Sequence, residues 1–312
     1  MISILMDCDP GHDDIFALLT AIAHPEVFEI LGFTTVAGNQ TVEKVTDNLL
    51  RVLSYIDYDS PVSMGAKSAL NGRTFVQPQA HGESGMEGPL LPAASKTVTG
   101  LDAVIWMKNL LISHSRKITI VATGPLTNIA RLLTDYPEVK EHIDSIAIMG
   151  GSLYSGNITS MAEFNIYVDP EAAKIVFNSG CEIIMSGLEV CQAAMINHDE
   201  IDRFNHSGKV SKLVYELLDF YSLYAKKLNQ PGSPLFDLCP IMHLIMPEIF
   251  TSIVCQVDVE TEGRLTRGKT VADLRSWADT MLPNAEVLID VKRQDFINEF
   301  VSSMSLLDNK VS

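Results

Sequence analysis

Residues 1–14, MISILMDCDPGHDD, decide how the chain is read. Ile2, Ile4 and Leu5 form a short apolar run that suits a buried strand, and Pro10-Gly11 breaks it into a turn. A helix follows, because Ile15, Phe16, Leu18, Leu19 and Ile22 recur at helical spacing. Asp13 and Asp14 in its first turn complement the positive end of the helix dipole. Asp9 then falls at the carboxyl end of the strand, with Asp13 and Asp14 facing it across the turn. Asp and Gly serve turns and caps in most proteins. Here, however, Asp7 and Asp9 are spaced to point to one side of the strand, and the acids continue beyond what one cap needs. Four carboxylates crowded between Asp7 and Asp14 repel one another unless some are protonated or a cation sits among them. The ligands on offer are oxygen only, with no Cys or His cluster nearby, so a hard cation, Ca²⁺ or Mg²⁺, is expected rather than zinc.

The same grammar of strand, turn and helix continues outward. Phe28 to Val36 reads as a strand and Thr41 to Ile56 as a helix, with Gly38-Asn39 between them at a strand's carboxyl end. Pro61 to Met64 is a short strand. A long stretch punctuated by Gly and Pro then runs to Pro92, and its segment His81-Gly82-Glu83-Ser84-Gly85-Met86 suits a flexible lid. Leu101 to Ile112 is helical. Lys117 to Ala122 is a strand running into Thr123-Gly124-Pro125, where the turn lets the Thr123 carbonyl face the same rim as Asp9. Ser145 to Met149 ends in Gly150-Gly151, followed by a polar loop carrying Asn157, Glu163 and Asn165. Asp169-Pro170-Glu171 reads as helix cap, first-turn proline and first-turn acid. Glu182 to Ser186 is a strand and Lys209 to Leu228 a long amphipathic helix. After the break at Pro231 to Pro234, Leu235-Phe236-Asp237 leads into an apolar helix from Leu238 to Met246. Strands at Ile253 to Thr261, Thr270 to Leu274 and Ala285 to Val291 precede a closing helix around Asp295 to Met304. Alternating strands and helices predict an α/β fold: an open, mostly parallel, Rossmann-like sheet flanked by helices, with a small antiparallel element near the C-terminus.

Composition narrows the function. A chain of 312 residues, 46% hydrophobic, can bury a large core, and no linker or low-complexity run divides it, so one domain over 1–312 is expected. With 23 basic against 39 acidic residues the formal charge is −16, and no Lys or Arg cluster stands out, which excludes nucleic acid and anionic membrane as partners. The apolar start is too short for a signal peptide and no later run approaches a membrane span, so a soluble, cytoplasmic protein is expected. The cysteines at 8, 181, 191, 239 and 255 stand singly, as reduced buried thiols would.

The strand-end residues belong to motifs that resemble the inosine-uridine preferring nucleoside hydrolase family. These are DCDPGHDD (7–14), TTVAGNQT (34–41), HGESGM (81–86), TGPLTNIA (123–130), IMGG (148–151), GN followed by AEFNIYVDPEAA (156–173), and Asp237. They span nearly the whole chain in the family's order. The resemblance implies hydrolysis of the N-glycosidic bond of ribonucleosides to ribose and free base. It implies Ca²⁺ held by Asp9, Asp14, the Thr123 carbonyl and Asp237, with Asp9 taking the proton of the water that attacks the anomeric carbon. Asp13, Asn157, Glu163 and Asn165 match positions that grip the ribose hydroxyls, and Asn39, Met149 and Phe164 line the site. His81 is a catalytic candidate near the base, whereas His12 occupies a position of variable character. Family members are often homodimers or homotetramers.

The chain departs from the family pattern at Phe236, where many members carry a His that resembles an acid for the departing base. Phe236 would then pack in the core or stack against the base. Two rival readings remain open on these residues. One is a relative that binds Ca²⁺ and nucleoside with weak or no turnover. The other takes Asp7-Cys8-Asp9 as the DxD of a Mg²⁺ phosphatase with Asp7 as nucleophile, which leaves AEFN unexplained.

Overall fold

The computed structural model describes residues 1–206, 208–275 and 282–311. Its strands are β1 (Ile2–Cys8), β2 (Phe28–Thr35), β3 (Val62–Met64), β4 (Ile118–Ala122), β5 (Ile143–Met149), β6 (Ile183–Ser186), β7 (Met195–Asn197), β8 (Gly232–Pro234), β9 (Phe250–Val259), β10 (Thr270–Asp273) and β11 (Ala285–Val291). Its α-helices are α1 (His12–Ala23), α2 (Val42–Tyr55), α3 (Pro78–His81), α4 (Ala103–Ser113), α5 (Thr127–Asp135), α6 (Phe164–Val168), α7 (Pro170–Phe177), α8 (Leu188–Ala193), α9 (Lys209–Lys227), α10 (Leu238–Ile245) and α11 (Arg293–Asp308).

The main sheet runs β10-β9-β11-β6-β5-β4-β1-β2-β3. From β3 to β11 every neighbouring pair is parallel, and β9 joins β11 and β10 antiparallel. The order 3-2-1-4-5-6 within it is that of the doubly wound Rossmann sheet. Its strands are apolar on both faces for that reason. In β1, Ile4, Met6 and Cys8 join one core layer with α1, α2, α9, α10 and α11, while Leu5 joins the other with α4, α5 and α7. Strand order reverses between β1 and β4, which opens a crevice at their carboxyl ends, where Asp9 and Thr123 lie.

The expected alternation of elements and the antiparallel end are both present, with local differences. β9 begins at Phe250, ahead of the expected Ile253, because pairing with β11 extends as far as Phe250↔Val291 through the exposed Thr251 and Ser252. The break at Pro231 to Pro234 contains β8, which pairs antiparallel with β7 and delivers the chain to Phe236-Asp237. The stretch after β3, expected to be loop throughout, contains α3, and its lid segment is stitched to α2 by Asn48 Nδ2 donating to Ser84 O (3.1 Å) and to the turn before α2 by Gln40 Nε2 donating to Glu83 O (3.0 Å).

α1 is buried along its whole length, and Phe16, with 0% exposure, packs on Phe300 of α11 at 5.5 Å between ring centroids. Phe16→Ala should therefore cost about 3–5 kcal/mol of stability by emptying a site that close packing cannot refill. Urea unfolding of the variant against the parent measures it, and a loss below about 1 kcal/mol would show that α1 is not a central pillar of this core.

Candidate active site

The turn that ends β1 arranges its own acids. Asp14 sits three residues into the helix after Gly11, so its Oδ2 reaches back to accept the Gly11 N–H (2.9 Å) while Oδ1 accepts the Thr123 hydroxyl (2.7 Å). Asp9 Oδ2 accepts the Asn39 N–H at 2.7 Å, and Asn39 Nδ2 donates to Asp9 O (3.2 Å) and Asp14 Oδ2 (3.3 Å), tying the end of β2 to the end of β1. Glycine is required beside this carboxylate: a Cβ at Gly38 would lie 2.0 Å from Asp9 Oδ2, and one at Gly124 2.8 Å from Asp9 Oδ1. Asp237 enters from the opposite side as the residue before α10.

Carboxylate oxygens of Asp13, Asp14 and Asp237 lie within 4.8 Å of one another, all buried. Asp9 stands beside this triad, and burial together with the charge of Asp14 pushes its carboxyl well above the ordinary range. Burial first and Asp14 second push Asp13 up to about 7, and burial with Asp13 and Asp14 drives Asp237 well up. Asp9 Oδ1 and Asp13 Oδ1 are buried without any hydrogen-bond partner. Orphaned oxygens among carboxyls that cannot all ionise are what a divalent, oxygen-preferring cation relieves, so the donor set fits one. Asp14 and Asp237 of this triad belong to the ligand set that the resemblance implied, Asp13 stands with them, and the Thr123 carbonyl, which accepts Asn165 Nδ2 at 2.7 Å, keeps a second lone pair.

Asp7 and Asp9, spaced as a pair in sequence, part company. Asp7 accepts the Thr34 hydroxyl (2.5 Å) and Asn128 Nδ2 (2.8 Å) beneath the rim, and burial pushes it up to about 6. Engaged by Thr34 and Asn128 beneath the rim, Asp7 is not placed with the acids of the site, and the phosphatase reading loses its nucleophile.

On the other wall Glu163 caps α6. Its Oε1 accepts the Asn165 N–H (2.9 Å), and its Oε2 accepts those of Gly151 (3.0 Å) and Ile166 (3.2 Å); burial pushes it up to about 7. Asn165 Nδ2 also donates to Met149 O (3.1 Å), and Asn157 Oδ1 accepts the Phe164 N–H (2.9 Å). Lys269, buried just before β10, donates Nζ to Ser152 O (3.1 Å) and Tyr154 O (2.9 Å) and so holds the loop leading to Glu163.

These walls enclose a cavity of about 160 Å³. Every residue singled out for the site in sequence lines it except Asp9 and Asp14, which are each 1% exposed. His81, expected in a mobile segment, is only 6% exposed. Sequence reading missed Tyr221, Tyr224 and Leu228 of the α9 segment, which also line the cavity. Their spacing of three and four would have shown a shared face, but such a stripe reads equally well as core. The crowding at Gly38 gives a test: Gly38→Ala should displace the Asp9 carboxylate, lowering turnover at least about 100-fold while the unfolding midpoint moves little. Full activity in that variant would show that Asp9 can be moved without consequence.

Comparison with known proteins follows the same line. The inosine-uridine preferring nucleoside hydrolase family matches residues 4–298. The chain is 46% identical over 299 residues to the pyrimidine-specific ribonucleoside hydrolases RihA of Salmonella agona and Shigella boydii, covering 95% of this chain and 96% of each relative. Among solved structures, a purine-preferring ribonucleoside hydrolase from Gardnerella vaginalis superposes with a TM-score of 0.92 at 28% identity, over 99% of both chains. An inosine-guanosine nucleoside hydrolase gives 0.91 at 25% identity, over 98% of this chain and 99% of that one. With the family profile covering almost the whole chain and its motif residues gathered around one acidic cavity, the chain belongs to the inosine-uridine preferring nucleoside hydrolase family and is an N-glycosyl hydrolase.

Proposed function

We propose that this ribonucleoside hydrolase acts on pyrimidine ribonucleosides and uses Ca²⁺. The observation that carries the reading is the buried carboxylate cluster of Asp9, Asp13, Asp14 and Asp237 at the cavity, with two orphaned oxygens. The pyrimidine preference rests on the printed specificity of the RihA relatives at 46% identity, against 28% for the purine-preferring neighbour. Ca²⁺ is favoured over Mg²⁺ because it accepts an irregular shell of carboxylates, carbonyl, hydroxyls and water. Asp14 and Asp237 would hold it, with Asp9 and the Thr123 carbonyl completing the protein's share. When bound it supplies the positive charge that lets the carboxylates ionise together and acidifies a neighbouring water.

The chain's own residues do the rest. Asp9 is held at Oδ2 by the Asn39 N–H, which leaves Oδ1 to accept the proton of an attacking water. Glu163, Asn165, Asn157 and Asp13 line the cavity and would grip the ribose hydroxyls, and grips that tighten as the sugar flattens toward an oxocarbenium ion raise turnover rather than affinity alone. Buried carboxylates beside the ring stabilise its developing positive charge. Phe236, with the tyrosines of α9, supplies aromatic surface for the base.

Asp9→Asn should keep the fold and lose about 10²- to 10⁴-fold in turnover on uridine with Ca²⁺ in excess. Near-normal release of ribose from that variant would sink the assignment of Asp9 as base.

The pH dependence of cation binding gives a second check. Asp7, Asp13 and Glu163 have folded values of about 6, about 7 and about 7, above those of the unfolded chain, so each binds its proton more tightly when folded. The stability they contribute without a cation is present below about pH 4 and lost as pH rises through about 6 to 7. The cation needs its own ligands Asp9, Asp14 and Asp237 ionised, and burial holds all three carboxyls above the ordinary range. Thermal unfolding should therefore show a larger Ca²⁺-induced rise in Tm at about pH 8 than at about pH 5. Equal rises at both, or none after chelation and readdition, would remove Ca²⁺ from the proposal.

A further inference from the structure

Three side chains from outside the cavity fasten the backbone of Gly151 to Tyr154, at the start of the loop between β5 and α6. Thr270, 1% exposed at the start of β10, uses its hydroxyl twice: Oγ1 accepts the Ser152 N–H (2.8 Å) and donates to Ser152 O (2.7 Å). Lys269 Nζ donates to Ser152 O (3.1 Å), Ser152 Oγ (3.2 Å) and Tyr154 O (2.9 Å). Glu189 of α8 completes the set with a single oxygen, Oε1, which accepts the N–H groups of Leu153 (3.0 Å) and Tyr154 (3.1 Å). A cation thus takes carbonyls of this turn and an anion takes its N–H groups, so each charge meets the backbone pole that suits it. The fastening reaches the cavity through Gly151. Its N–H donates to Glu163 Oε2 (3.0 Å), its carbonyl accepts the Leu188 N–H (3.0 Å), and its φ of +80° is a conformation that favours glycine. A Cβ at Gly151 would lie 2.7 Å from Met185 Cε and 2.8 Å from Thr270 Cγ2, so Thr270 packs directly on the residue that holds Glu163.

We infer that Glu189, Lys269 and Thr270 are positioning residues for the hydrolysis: they fix the Gly151 N–H, and through it the direction in which the Glu163 carboxylate meets the ribose hydroxyls. The inference rests on the nucleoside reading of the cavity. A carboxylate that grips the sugar in the transition state must point correctly beforehand, because a hydrogen bond weakens steeply as its angle degrades. Glu163 cannot take that stiffness from its own element, since the helix it caps, α6, is only 5 residues long. The stiffness comes instead from α8 and from the antiparallel end of the sheet, which gives the pairing of β9 with β10 a part in the chemistry. Lys269 is 7% exposed, and an ammonium buried that far is tolerable only where hydrogen bonds replace its water, as the Ser152 and Tyr154 carbonyls do. A loop that served only to connect β5 to α6 would need no such group.

The test uses the full chain with Ca²⁺ present and reads kcat and KM for uridine separately. Lys269→Met keeps the apolar stem and removes the donor; its kcat should fall about tenfold while KM changes by less than about threefold. In a Glu163→Ala background the same substitution should lower kcat by less than about twofold further, because the group it aims is already gone. An equal loss in the two backgrounds, or an unchanged kcat in folded Lys269→Met, overturns the inference. Glu189 supplies a pair of variants that decides independently if Lys269→Met does not fold. Glu189→Gln returns an acceptor oxygen for both N–H groups and should keep at least about half of the parent kcat, whereas Glu189→Ala should lose about tenfold. Equal kcat values for these two variants overturn the inference. Amide hydrogen exchange across residues 151–154 should be faster in Glu189→Ala than in the parent. If the parent enzyme releases no ribose from any nucleoside, the nucleoside reading fails, and the exchange rates still decide the fastening, unchanged rates overturning it.

Discussion

Like charges buried together are the constraint around which this molecule is built. Asp9, Asp13, Asp14 and Asp237 come from two distant parts of the chain and meet where water is scarce, so each raises the cost of ionising the others. A fold can sustain such a cluster only by anchoring each carboxylate to rigid surroundings. The protein does so with backbone N–H groups at strand and helix ends, which supply fixed partial positive charge without adding a competing cation side chain. Among the described residues no Lys or Arg lines the cavity, so no cationic side chain on its walls offsets the cluster.

The doubly wound sheet is well suited to this arrangement because its crevice collects the ends of non-consecutive strands. β1 contributes the turn with three of the acids, β2 the Asn39 clamp, β4 the Thr123 hydroxyl, and β5 the glycines that bring Glu163 close. The distal antiparallel end also takes part. Lys269 and Thr270 at the start of β10 hold Ser152, so the loop that carries Asn157 and Glu163 is fastened at both ends.

Much of this was legible in the sequence because strand ends are marked by Gly and Pro, and polar residues at such marks seldom serve the core. The rim from Asp9 to Asn165 could be read in that way, as could Asp169 as a cap, which accepts the Ala172 N–H at 3.1 Å. What stayed hidden depended on side-chain direction and on partners far along the chain. Asp7 shares its spacing with Asp9 but is drawn under the sheet rim by Thr34 and Asn128. His81, a catalytic candidate expected in a flexible segment, is buried because His12 and Tyr221 stack on it. The α9 tyrosines were indistinguishable from an ordinary apolar stripe, because periodicity tells which residues share a face and not what that face meets.

Asp169 does more than cap α7. Its second oxygen accepts the Thr127 hydroxyl and the Leu70 N–H, both at 2.7 Å, while Asn128 Oδ1 accepts the Ala66 N–H at 2.9 Å. The long segment leaving β3 is therefore moored to α5 at Ala66 and to the cap of α7 at Leu70 before it turns toward the cavity, and Gln77 moors it again by donating its N–H to Asn39 O at 3.2 Å. Between these moorings Phe75 packs edge-on against Phe164 and Tyr167, at 5.8 Å between ring centroids in each case. The cover of the cavity is thus a strap fastened at both ends and pinned at its middle, so the cavity's mouth is framed by braced chain rather than by a free loop.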